Sequence, residues 1–347
     1  MIENKYTNKL KFILFLLNIY LLIRNYLNDI KKIRPKISVF LPIYNKENFL
    51  VNSIKSLQNQ TIKDIEIVAV NDCSTDKSLE ILTNLSKNDS RIKIVNNDKN
   101  HGLLYSRAMG ILNSSGEYLL NLDPDDMING KDTLEFIYNK AKLDNIDIIS
   151  FNVFDQKHKN IINCIKKNSI VRQPNLFLSI FSEHRIRDYL IVNKLIKKEI
   201  LLYAYEDFKD KIYNGKWNYF EDDVWNILVN KYAKTRLCIN RLVYIYTFNK
   251  KSLMNKEYGY YQFQNLIYRH EMYEKIFTSK NEQKYLIGEY YFLLNRLRYN
   301  INSLLLLKNK SINDQIIYIF KSFLNKNKVS KNTINIINNF LNRIGMI

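Results

Sequence analysis

The residues best equipped for chemistry are three carboxylates, Asp123, Asp125 and Asp126, split by Pro124 and placed directly after the apolar run Tyr118-Leu119-Leu120-Asn121-Leu122. A short apolar run that ends in turn residues reads as a buried strand. In open α/β sheets ligands bind at the carboxyl ends of the strands, so acids delivered there face a crevice. Asp123 and Asp125 are hard oxygen donors, suited to Mg2+ or Mn2+ that also holds a substrate phosphate. The plainer reading is a loop whose aspartates cap a helix starting near Ile128 to Lys131. The surrounding chain decides between them.

The elements that would position these acids begin at Lys36. Ile37-Ser38-Val39-Phe40-Leu41 reads as a first strand, followed by a helix in which Leu50, Ile54 and Leu57 recur at i, i+4 and i+7, one apolar stripe facing a sheet. Ile65 to Val70 is a second strand, a helix with Leu79, Leu82 and Leu85 follows, and Ile92 to Val95 is a third strand. Gly102 opens a further helix containing Arg107, which leads into the Tyr118 strand. Alternating strands and helices predict an α/β fold with a mostly parallel sheet flanked by helices. With parallel strands, the segments that end them share one edge: Pro42 to Asn45, Asp72 to Ser74, Asn100 to Gly102, and Asp123 to Asp125. No Gly-x-Gly-x-x-Gly or Walker lysine loop is present, so phosphates must be met otherwise, and a metal on the Asp125 loop would do so.

Composition narrows the classes. The chain has 347 residues, 46% of them hydrophobic, enough for one ample α/β domain and an accessory region. Its 53 Lys+Arg against 34 Asp+Glu give a formal charge of +19, which suits polyanions, a membrane surface or phosphorylated substrates. The lysines are interleaved with asparagine and isoleucine throughout, as compositional bias alone would give, and no basic run or RNA-binding aromatic signature points to nucleic acid. Cys73, Cys164 and Cys238 are far apart and odd in number, indicating neither a disulfide framework nor a zinc site and making a reducing compartment the simplest expectation.

Four segments in order, Val39-Phe40-Leu41-Pro42-Ile43-Tyr44-Asn45, Asn71-Asp72-Cys73-Ser74-Thr75-Asp76, Asn100-His101-Gly102 with Ser106-Arg107-Ala108-Met109-Gly110, and Leu122-Asp123-Pro124-Asp125-Asp126, resemble the family 2 inverting glycosyltransferases of GT-A fold. Val192-Asn193-Lys194-Leu195 and Phe220-Glu221-Asp222-Asp223-Val224-Trp225 extend the resemblance, which covers roughly Lys36 to Met254. It implies a nucleotide-sugar donor, UDP-linked in the first instance, and transfer to a glycan, lipid or protein hydroxyl. It also implies roles for single residues. Tyr44 would lie against the nucleotide base, with Pro42 and Glu47 shaping that pocket, and Asp72 would hydrogen-bond the base. Arg107 would sit near the donor. Asp123 would reach the ribose and Asp125 the metal, Mn2+ or Mg2+. Asp222 would be the catalytic base.

Each role has a plainer counterpart. Tyr44 could pack a strand end, Asp72 and Ser74 could cap the following helix, Arg107 could pair with a surface acid, and Asp222 could be a helix-initial acid favoured by the dipole. Two positions depart from the family pattern. Cys73 stands where glycine is usual, in a turn that prefers positive φ, and Met109 stands where asparagine is common. A non-catalytic sugar-nucleotide or glycan-binding relative in a membrane assembly is the alternative, which retention of Asp72, Asp123, Asp125 and Asp222 together argues against. A nucleotidyltransferase would want a glycine- and lysine-rich loop after the first strand, and Pro42 to Asn48 offers none.

The chain divides as 1–34, 35–255 and 256–347. In the first part Leu10 to Ile23 is apolar, interrupted by Lys11 and Asn18 and flanked by basic residues. A span needs about 20 apolar residues, so this run reads as an interfacial helix that docks on a membrane, with a signal anchor, if Tyr26 and Leu27 extend it, and a packing helix as the alternatives; the expected location is the cytoplasm or the cytoplasmic face of a membrane. In the last part Tyr290, Leu293, Leu294 and Leu297 recur at helical spacing.

Overall fold

The computed structural model describes residues 34–164, 169–173, 190–212 and 221–249, together with residues 16–17, 19–22 and 342. The expected helical region 256–347 therefore lies outside the described residues apart from 342, as does most of the apolar segment from Leu10 to Ile23. The six described residues between 16 and 22 are helical. Among the described residues no helix is long and apolar enough to cross a membrane.

The first half of the domain is built as the periodicity predicts. Strands β1 (Ile37–Ile43), β2 (Ile65–Asn71), β3 (Ile92–Asn96) and β4 (Tyr118–Asn121) alternate with helices α1 (Leu50–Gln58), α2 (Ser78–Asn88) and α3 (Leu103–Asn113). Leu50, Ile54 and Leu57 of α1 are fully buried, confirming the stripe. The pairs β1–β2, β2–β3 and β1–β4 are all parallel. Val39, Phe40, Leu41, Val68, Ala69, Val70, Leu119 and Leu120 are all buried. A parallel sheet covered on both faces needs such continuous apolar strands.

The helix α3 sits especially close to the sheet. A Cβ on Gly110 would lie 2.6 Å from Cδ2 and 2.9 Å from Cβ of Phe40 in β1, so only glycine allows this approach. Gly102 precedes the helix with φ of 92°, a conformation that side chains resist.

The second half is mixed. It contains β5 (Met127–Ile128), α4 (Thr133–Leu143), β6 (Ile148–Asp155), β7 (Asn160–Ile162), β8 (Ile170–Arg172), β9 (Lys194–Lys197), α5 (Lys198–Ile212), α6 (Glu221–Tyr232) and β10 (Thr235–Tyr246). The sheet order is β3-β2-β1-β4-β9-β6-β10-β5, with β7 on β6 and β8 on β10. β6 and β10 are parallel, whereas β5, β7, β8 and β9 pair antiparallel with their neighbours. The mostly parallel expectation thus holds for β1 to β4 and gives way beyond β4 to short antiparallel strands.

Two other expectations are corrected. The helix expected near Ile128 to Lys131 starts instead at Thr133, because Met127 and Ile128 pair with Ile245 and Tyr244 and Asn129 N–H donates to the Val243 carbonyl at 2.8 Å. Cys164 and Cys238, 74 positions apart, are joined as a disulfide with their Cα atoms 6.0 Å apart. β6 brings them together: Asn152 Oδ1 accepts the Cys164 N–H at 3.0 Å, and Ser150 is in register with Cys238.

Candidate active site

The order 3-2-1-4 reverses direction between β1 and β4, and the crevice beyond the carboxyl ends of those strands is where open α/β sheets hold ligands. β9 runs antiparallel to both β4 and β6, so β6 and its parallel partner β10 end at the same edge as β1. Phe40 O accepts the Leu122 N–H at 3.0 Å, the last bond between β1 and the β4 segment. Pro42 has no N–H to continue that ladder, which lets the chain turn away after Leu122 into the acidic loop.

Arg107 is the hub of the crevice. It projects from α3, is 2% exposed, and gives one Nη to Asp123 Oδ1 at 3.2 Å and the other to Glu221 Oε1 at 3.1 Å and to Asp222 Oδ1. One guanidinium thus joins the β4 end to the first turn of α6. Its Nε is buried with no hydrogen-bond partner among the described residues. Asp123 Oδ1 also accepts from Asn121 Nδ2 at 3.0 Å. Three carboxylates on one cation leave excess negative charge. Burial, working against the pull of Arg107 and with the repulsion of Asp222, pushes Glu221 up to about 8. Burial also pushes Asp222 up to about 6, Arg107 opposing and Asp123 and Asp223 reinforcing. The Asp222 side chain keeps 25% of its surface exposed, enough to meet a substrate.

The second half of the acidic loop is held from two sides. Asp125 Oδ2 accepts from Lys46 Nζ of the loop after β1 at 2.5 Å and from Asn249 Nδ2 beyond β10 at 2.8 Å. Asp126 is interior: Tyr244 Oη donates to its Oδ2 at 2.6 Å and the Thr247 N–H to its Oδ1 at 2.8 Å, while Tyr244 Oη accepts the Asp123 N–H at 3.2 Å. Burial and then the charges of Asp123 and Asp125 push Asp126 up to about 8. Among the described residues no group of three or more His, Cys, Asp or Glu side chains could enclose a metal ion. Mg2+ in phosphate-transfer sites is commonly held by one or two carboxylates plus substrate phosphates, so a loop carboxylate at the crevice fits that donor set by exchanging the Lys46 and Asn249 donors it now carries. Asp125 is the residue that would hold it.

The remaining expected residues lie at the carboxyl ends of β1 and β2 or in the loops that follow them. Tyr44 is 44% exposed just past β1, free to lie against a planar group. Pro42 is buried in β1 opposite Val70. Glu47 ties two loops together, its Oε2 accepting the Lys77 N–H at 3.0 Å while its own N–H donates to Asp76 Oδ2 at 3.0 Å. Asp72 is buried, its Oδ1 accepting from His101 N–H at 2.9 Å and Asn97 Nδ2 at 2.8 Å and its Oδ2 from Gly102 N–H at 2.8 Å. It thereby braces the loop leading into α3, the helix of Arg107. Cys73 holds φ of 57° in the turn where glycine is usual.

Lys46, Tyr244 and Asn249 were not singled out as site residues from the sequence, Asp126 entered only as the third acid of its loop with no role of its own, and Glu221 only as the neighbour of Asp222. Lys46 follows Tyr44-Asn45 directly, and its charge beside a strand end was the available signal.

Comparison with known proteins agrees with this geometry. Residues 38–202 match the Glycosyl transferase family 2 model. The uncharacterized glycosyltransferase EpsJ of Bacillus subtilis is 28% identical over 233 residues, 65% of this chain and 64% of EpsJ. The cholesterol galactosyltransferase of Borreliella burgdorferi is 33% identical over 196 residues, 56% of this chain but 48% of that protein. The chain thus spans between about half and just under two thirds of these relatives. A crystal structure of Staphylococcus aureus TarS 1-349 in complex with UDP-GlcNAc superimposes with a TM-score of 0.61 at 20% identity, covering 83% of this chain and 80% of that one. At that identity the likeness establishes the fold. With matching segments, sheet order and acidic crevice in agreement, the domain spanning residues 38–202 belongs to glycosyl transferase family 2.

Proposed function

We propose that the protein is a metal-dependent inverting glycosyltransferase that moves a hexosyl or N-acetylhexosaminyl group from a nucleotide-diphosphate sugar, UDP-linked in the first instance, to a hydroxyl of a glycan, lipid or protein acceptor. The observation that carries it is the convergence of Asp123 and Asp222, 99 positions apart in number, on the single guanidinium of Arg107 at the carboxyl edge of the sheet. A TarS crystal structure with UDP-GlcNAc and another with UDP lend support to the donor class. The galactosyltransferase relative supports the sugar class.

In this reading the acceptor oxygen bonds to the anomeric carbon as the bond to the diphosphate oxygen breaks, the nucleoside diphosphate leaves with that electron pair, and Asp222 takes the hydroxyl proton. A base must lie within hydrogen-bond reach of the proton it removes, and the partly exposed Asp222 carboxylate allows it. Arg107 holds Asp222 in place beside Asp123. Asp125 would bind Mn2+ or Mg2+, which supplies positive charge against that growing on the departing diphosphate. Tyr44, with Pro42 and Glu47 behind it, forms the base side of the donor pocket, and Asp72 shapes that pocket by fixing the 97–102 loop. Docking on a membrane surface through the N-terminal segment would bring the enzyme to a lipid-linked acceptor.

The test is titration of the purified protein with UDP-, GDP-, dTDP- and CMP-sugars, with and without Mn2+, following binding and nucleotide release. Metal-dependent binding of one nucleotide is expected, with Asp222→Asn abolishing turnover and leaving binding largely intact. Normal turnover in Asp222→Asn would remove the base assignment.

A further inference from the structure

The acid assigned to the metal already has a cation on it. We infer that Lys46 is a resident counter-ion of Asp125, and that its ammonium and a divalent metal are alternative occupants of Asp125 Oδ2; the inference rests on the donor-site reading above. Lys46 Nζ lies 2.5 Å from that oxygen, and the two side chains are only 23% and 14% exposed, so the pair is sheltered from screening water.

Three features make this more than a surface pair. Asn249 Nδ2 donates to the same oxygen at 2.8 Å, so a metal approaching Oδ2 must displace two donors. Lys46 is fixed at its backbone, its N–H donating to Ser78 Oγ at 2.8 Å, and neighbouring Asn45 is tied to the loop after β2 by Thr75 N–H at 2.8 Å. The ammonium is therefore tethered within reach of the crevice rather than free to leave. The local charge also calls for a cation, since Asp125 shares its loop with Asp123, whose partner Arg107 is already divided among Asp123, Glu221 and Asp222. An ammonium is a compact point charge on a flexible stem, suited to exchange between a carboxylate and a phosphate. When a metal takes Asp125, Lys46 is released at the mouth of the crevice, where a diphosphate would lie.

The full-length protein tests this with Mn2+ alone, followed by the EPR signal of the free ion, in wild type, Lys46→Met and Lys46→Arg. A competing pair worth more than the ~1 kcal/mol of an exposed one predicts that Lys46→Met binds Mn2+ about fivefold or more tightly, while Lys46→Arg stays near wild type. Equal Mn2+ affinity in wild type and Lys46→Met overturns the inference. A second arm measures UDP binding at saturating Mn2+: Lys46→Met is expected to weaken it several-fold and Lys46→Arg to preserve it, and unchanged binding in Lys46→Met overturns the phosphate role of the ammonium. If wild type binds no nucleotide under any condition, the donor reading falls along with that phosphate role, and the Mn2+ titration still decides the competition at Asp125. Thermal melts of both variants identify any loss of folding, and Lys46→Gln then replaces Lys46→Met.

Discussion

Arg107 determines what Asp222, the carboxylate proposed as the base, can do. A guanidinium buried against three acids favours their charged forms, while burial favours the neutral ones, and the balance leaves Asp222 near 6 and Glu221 near 8. Asp222 acts as a base only when deprotonated, so kcat/KM is expected to rise with pH along a limb centred near 6 and to flatten above it; a profile flat from pH 5 to 8 would contradict the assignment. Arg107→Met removes the charge that opposes burial, so that limb should move upward by about 1 unit or more. Leaving buried carboxylates uncompensated should also lower stability by about 3–5 kcal/mol in a denaturant titration. Burial pushes Glu221 further toward its neutral form than it pushes Asp222, so Glu221→Gln is expected to preserve both limb and stability. A marked shift in that variant would show Glu221 to be charged when Asp222 works.

At the scale of elements, the site depends on how closely α3 lies on β1. Arg107 and Gly110 are one turn apart on the same face of α3, and the absence of a Cβ at Gly110 lets Phe40 fill that space. Gly110→Ala is expected to lower stability by about 1–3 kcal/mol through overpacking, and to reduce kcat more than nucleotide affinity because the shift carries Arg107 off the carboxylates. Leu112→Ala, on the exposed face of the same helix, is the comparison expected to change little. This contact also marks a limit of sequence reading. The α1 stripe and the strands β1 to β4 were legible because apolar period and strand-end polar residues coincide there. β5, β7, β8 and β9 are two to four residues long and pair antiparallel, all but β7 with partners distant in sequence, so no local period announces them. The site divides the same way: Asp123, Asp125 and Asp222 were visible from their motifs, whereas the Arg107 hub and the Lys46–Asp125 pair exist only once residues 79 or more positions apart are brought together.

At the scale of the whole molecule, charge and the N-terminal segment combine. The chain carries a formal +19, and Leu16, Leu17, Leu21 and Leu22 are each 40% or more exposed on the helical residues near its start. Exposed leucines on a helix followed by Arg24, Lys31, Lys32 and Arg34 are the composition of an interfacial anchor, in which buried apolar area and attraction to anionic headgroups add. Each basic residue near an anionic surface contributes about 1 kcal/mol, and the attraction decays within a Debye length of about 8 Å at physiological salt. Full-length protein should therefore float with vesicles containing phosphatidylglycerol and not with purely zwitterionic ones. Raising the salt several-fold should weaken that binding strongly, because the electrostatic share is screened while the apolar share remains. Replacing Leu16, Leu17, Leu21 and Leu22 with serine should abolish the salt-resistant remainder and leave Mn2+ and nucleotide binding intact, since these residues are remote in sequence from the crevice. Flotation that is insensitive to both lipid charge and these leucines would place any membrane attachment elsewhere in the chain.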